Sequence, residues 1–96
     1  MYVIYKIFFD RAKRDATYRQ RGLAFEDAAF VFEGRVITIE DTRKDYRERR
    51  FQTIGFLAER MVMVVWTPRG DGAHVISMRK CNERERAAYQ KRFDEG

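Results

Sequence analysis

The sequence predicts an α+β domain built on one antiparallel sheet, with two helices before most of its strands and one helix after them. The expected order is β-α-α-β-β-β-β-α. Two observations carry this. Residues 50–79 hold β-branched and aromatic runs of strand length separated by short turns. Asp10 and Asn82 stand where helix N-caps belong, and Gly22 and Gly34 stand where helices should stop. A length of 96 residues suits a single domain, 1–96, with one modest core. Hydrophobic residues at 45% and aromatic residues at 15% favour a folded chain over a disordered one.

Tyr2 to Phe9 is aromatic and β-branched and reads as the first strand. Asp10 then caps a helix over Arg11–Arg21 that ends at Gly22 and carries a strongly basic surface. Phe25 to Phe32 continues as a second helix, with Phe25, Ala28, Ala29 and Phe32 as its buried stripe and Gly34 as its end. Val36 to Ile39 opens the run of strands. Glu40 to Arg49 is rich in charge and reads as an exposed, mobile connection. Arg50 to Leu57 is the next strand, with a tight turn at Ala58–Arg60. Met61 to Arg79 forms a hairpin about Gly70-Asp71-Gly72. Asn82-Glu83-Arg84-Glu85 has the form of a capping box and opens a last helix to about Phe93.

The hairpin predicts a functional face. With a three-residue loop at Gly70–Gly72, position 65 lies opposite 77 and position 69 opposite 73. Val65, Thr67, Arg69, Val75, Ser77 and Arg79 then share one face, and Val64, Trp66, Ile76 and Met78 share the other. Arginine and hydroxyl groups on one face suit phosphate binding. In this register His74 falls on the opposite face, as a surface histidine beside the turn. A two-residue loop would separate the arginines.

Basic residues outnumber acidic ones by 20 to 15, a net charge of +5. Only five are lysine (6, 13, 44, 80 and 91), so 15 are arginine. A planar guanidinium grips phosphate or carboxylate with paired hydrogen bonds and stacks on bases. A polyanion is therefore the expected partner, with nucleic acid ahead of an acidic protein or an anionic membrane. The one cysteine, Cys81, excludes an internal disulfide and a thiolate zinc site, and reads as a structural thiol in a reducing compartment. No signal-peptide pattern or membrane-length apolar run occurs, so a cytoplasmic protein is expected. Metal and nucleotide motifs are lacking too, so no cofactor is expected.

Six short motifs, in order, resemble the BrnT toxins of bacterial type II toxin–antitoxin systems. They are Phe9-Asp10-x-x-Lys13, Arg21-Gly22-x-x-Phe25-Glu26-x-Ala28, Arg50-x-x-x-Ile54-Gly55, Val64-Val65-x-Thr67-x-Arg69, Val75-Ile76-Ser77-Met78-Arg79 and Glu85-x-x-x-Tyr89. The resemblance implies a RelE-like fold, ribonuclease activity that blocks translation, and neutralisation by a partner antitoxin, BrnA, with a ribbon-helix-helix region. A two-plus-two complex is the expected assembly, touching operator DNA only through the antitoxin. The chain departs from the family where Arg21 replaces a common histidine, and at Phe9 and Thr17, where tryptophan and asparagine are usual.

Metal-free RNA cleavage needs a base for the 2′-hydroxyl, cations for the phosphorane and an acid for the 5′-oxygen. Arg50, Arg69 and Arg79 are the expected cations, converging on one scissile phosphate. Lys13 matches the family lysine and serves as a cation or, if desolvated, a base. Thr67, Ser77, Arg21 and His74 are the expected substrate contacts. Tyr89 is a proton-donor candidate, with core packing as its ordinary role. The residues alone leave room for a non-enzymatic RNA-binding module, a toxin that has lost activity, or a protein-interaction domain.

Overall fold

The computed structural model describes residues 6–96, so the first part of the strand expected over Tyr2–Phe9 lies outside the described residues. Strand β1 spans Lys6–Phe9 and helix α1 spans Arg11–Arg21. The Asp10 carboxylate accepts the Lys13 amide at 2.9 Å, and Gly22 closes the helix in the left-handed region at φ 70. A 3-10 turn, Phe25–Asp27, then leads into α2, Ala28–Glu33. The tighter turn shifts the buried stripe to Phe25, Ala28 and Val31, in place of the expected Ala29 and Phe32. Phe32 is half-buried, edge-on to Trp66 at 5.4 Å.

Four strands follow: β2 (Ile37–Glu40), β3 (Phe51–Leu57), β4 (Arg60–Arg69) and β5 (Gly72–Lys80), then helix α3 (Glu83–Glu95). The element order is the expected one. The sheet order is β1-β5-β4-β3-β2, and the sheet is mixed, not antiparallel, because β1 runs parallel to β5. α1 and α2 carry the chain from β1 at one edge to β2 at the other. The β2–β5 meander then returns β5 to lie beside β1, running in the same direction. Gly72 permits this pairing, since a Cβ there would strike the Lys6 carbonyl.

The hairpin corrects the expected register. Arg69 pairs with Gly72, so the loop has two residues, Gly70 and Asp71, with Gly70 at φ 56. Further along, Val65 still pairs with Ser77, but Trp66 pairs with Val75, leaving Ile76 as the extra residue of a β-bulge. Turn and bulge compensate each other. Val64, Trp66, Val75 and Met78 all reach the helix-covered core, which neither a bulge-free two-residue loop nor the three-residue loop would achieve. Between turn and bulge the faces of β5 are exchanged relative to expectation. Val75 joins Trp66, and His74 stands beside Thr67.

The helix-covered face packs Phe51, Val62, Val64, Trp66, Ala73, Val75 and Met78 against Leu23, Phe25, Ala28 and Val31. The Trp66 indole donates to Thr53 Oγ1 at 2.7 Å, and that hydroxyl bonds Thr38 Oγ1 at 2.9 Å, so these three polar groups satisfy one another. On the other face α3 covers one end only. There Phe93 packs with Ile54, Met61, Met63 and Cys81, and Tyr89 packs against them, in its core role. Burial pushes the Cys81 thiol up to about 11, as suits a structural cysteine. Asn82 and Glu85 form the expected capping box of α3.

Candidate functional site

The end of the second face near the Gly70 turn lies away from the α3 cluster. Strand alternation from Met61 and Met63 puts Val65, Thr67 and Arg69 there; alternation from Ile54 adds Gln52. Cross-strand pairing adds Ser77 beside Val65 and His74 beside Thr67, with Phe8 of β1 next to His74. This is the part of the sheet where side chains bearing chemistry gather.

Thr67 is buried, and its hydroxyl donates to the Arg49 carbonyl at 2.6 Å. It therefore fastens the 41–50 connection to β4. The connection is anchored at its other end as well. Asp41 is buried and accepts from Arg43 at 2.8 and 2.9 Å, which holds its carboxyl down at about 2, and its amide donates to the Arg50 carbonyl at 2.7 Å. The connection is exposed along most of its length, as expected, and is pinned at both ends. Pinning it sets Glu48 and Arg50 beside the open face. Arg50 lies 4.0 Å from the Tyr46 ring centroid and reaches Glu48 at 3.4 Å.

His74 is half-buried, and its Nδ1 is enclosed without a hydrogen-bond partner among the described residues. Burial is the main influence lowering its pKa; the Arg69 and Lys13 charges lower it further, and Glu48 and Asp10 oppose them. A depressed imidazole pKa means the ring stays neutral in the folded protein at neutral pH. The stability tied to that neutral ring is present above the ordinary value of about 6.5 and is lost as pH falls through the lowered one. Arg69 and Lys13 are exposed and have no ion-pair partner among the described residues.

The three expected arginines do not converge. Arg79 pairs with Met63 on β4, six residues of strand and so about 20 Å from Arg69. Its guanidinium donates to both Glu85 oxygens at 2.7 and 2.8 Å, beside the α3 cap. Arg21 is also turned to structure, donating to the Met78 carbonyl at 3.0 Å beyond the stretch of β5 that β1 covers. Ser77 lies on the open face, half-buried, beside the bulge.

The structure therefore brings together Arg50, Arg69, Lys13, His74, Thr67 and Ser77 and sets Arg79 and Arg21 apart. It adds Glu48 and Gln52, which sequence reasoning missed. Period-two counting from Arg50 could have found Gln52; nothing local marked Glu48 among the charges of its loop. A neutral imidazole near Arg69 and Lys13 can accept a proton beside an anion that the cations stabilise.

No curated protein matches the sequence. A family model described as ribonuclease toxin, BrnT, of type II toxin-antitoxin system matches residues 9–85. The match runs from the last residue of β1 into the first turn of α3 and contains every residue of the site above except Phe8. By that match the chain belongs to the BrnT family, the ribonuclease toxins of type II toxin–antitoxin systems.

Proposed function

We propose that this ribonuclease toxin cuts RNA at the open end of its sheet, without a metal ion. The observation that carries the proposal is the meeting of Arg69 with a neutral half-buried His74 on the face that α3 leaves uncovered, within electrostatic reach of Lys13 on α1, neither cation having an ion-pair partner among the described residues. Arg69 and Lys13 are positioned to hold the scissile phosphate and to stabilise charge as the phosphorane forms. Arg50 supports the same phosphate or its neighbour from the pinned loop, and Ser77 and Gln52 offer polar contacts to the strand of RNA. Arg79 and Arg21 serve the fold. Among the described residues no three metal-ligating side chains gather. The reading agrees with a RelE-like mode of action in the cytoplasm.

Cleavage of a defined RNA in excess EDTA tests the metal-free reading. The expected rate is undiminished, with 2′,3′-cyclic phosphate and 5′-hydroxyl ends. Activity that disappears with chelator and returns with a divalent cation would overturn it.

The family supports a partner antitoxin, here a BrnA-like ribbon-helix-helix protein in a two-plus-two complex that meets operator DNA through the antitoxin alone. A net charge of +5 suits an acidic partner segment, which would exclude RNA by occupancy of the basic surface.

A further inference from the structure

We infer that His74 is the group that takes the proton from the attacking ribose 2′-hydroxyl, an inference that rests on the cleavage site proposed above. Sequence parity set this ring on the wrong face; the two-residue turn and the bulge at Ile76 return it to the face of Arg69. Among the described residues Nδ1 is enclosed without a partner, so Nε2 is the nitrogen left to meet substrate, and with the ring proton on Nδ1 it carries the lone pair that a base needs. The surroundings agree. Arg69 from β4 and Lys13 from α1 repel a second positive charge, Glu48 from the 41–50 loop and Asp10 from the α1 cap offset part of that, and the neighbour on β1, Phe8, is apolar. Lys6, the charged group of β1, sits 3.7 Å from Asp71 at the turn. Glu48, the carboxylate nearest in influence, is already engaged by Arg50.

The step balances without a co-reactant. Nε2 takes the 2′-hydroxyl proton as the O2′–P bond forms. The phosphorane charge that develops faces Arg69 and Lys13, and it also steadies the new imidazolium. The P–O5′ bond then breaks, O5′ takes a proton from solvent, and the ring returns its own proton to solvent. A ring held neutral by burial and cations is ready to accept at neutral pH, as a base with a pKa near or just below ambient pH should be.

Single-turnover cleavage of a short RNA across pH 4.5–8 by the wild type, His74→Gln and Arg69→Ala, beside binding of the same RNA with 2′-methoxy groups, tests the assignment. The wild-type rate should fall on the acid side with a midpoint below about 6.5. His74→Gln should lower the rate by roughly 100- to 10,000-fold and remove the acid limb, while binding changes little. A His74→Gln rate within about threefold of wild type would overturn the assignment of the base. If Arg69→Ala is slow and His74→Gln is not, the cleavage site stands and only the base falls. If neither is slow, both fall. Should His74→Gln fail to fold, the wild-type profile decides, since an acid midpoint above 6.5 contradicts a ring whose charged form is disfavoured.

Discussion

Replacing Arg69 with alanine is expected to slow RNA cleavage by about 100- to 1,000-fold, equivalent to about 2.7–4 kcal/mol of lost transition-state stabilisation, with the unfolding midpoint nearly unchanged. Arg69 is exposed, unpaired among the described residues, and close enough to His74 to depress its pKa. Arg79→Ala should do the reverse. Its guanidinium is held by Glu85, whose carboxyl it pulls down to about 2. The stabilisation from that depressed carboxyl is present above the ordinary carboxylate range and is lost as pH falls through about 2. Because the Arg79 side chain is 38% exposed, solvent screening leaves about 1 kcal/mol at neutral pH. Cleavage rates and urea unfolding on both variants check this, and an Arg79→Ala protein that is stable but inactive would return Arg79 to the site.

The largest expected loss of stability is for Trp66→Ala. Trp66 is buried, stacks on Phe51 at 5.1 Å, meets Phe32 edge-on and donates to Thr53. Truncating such a side chain costs about 3–5 kcal/mol. That is a large share of the roughly 5–14 kcal/mol expected for a chain of this size. Trp66 pairs with Phe51 and Val75 in the middle of the sheet, so the loss should be felt on both faces. Activity should fall with it, since Thr67 and His74 are set by the same strands. Urea unfolding is the check; a loss under about 1 kcal/mol would mean that the aromatic cluster is not the centre of the core. Trp66→Phe should be milder, keeping a ring in place and losing the bond to Thr53.

What the sequence disclosed follows the range of the interactions involved. Caps are local, so Asp10, Gly22 and the Asn82–Glu85 box were legible from side-chain type and spacing. The pairing of β1 with β5 joins residues more than sixty positions apart, and no local pattern marks it as parallel. The hairpin was legible as a hairpin but not in register. Gly70-Asp71-Gly72 allows loops of two or three residues, and the choice is made by burial of Trp66 and Val75 together, with the bulge at Ile76 absorbing the difference. His74 was misplaced for that reason alone. The pairing of Arg79 with Glu85 was not legible, because Glu85 stood out only as a helix cap.

The central claim is that RNA occupies the open end of the sheet face opposite α1 and α2. Amide and side-chain chemical-shift mapping of the protein with a 2′-methoxy RNA tests it most directly. Shifts concentrated at Gln52, Arg69, His74 and Ser77, with Lys13 at their margin, are the predicted result. Shifts confined to α2, or to α3 around Arg79 and Glu85, would contradict it.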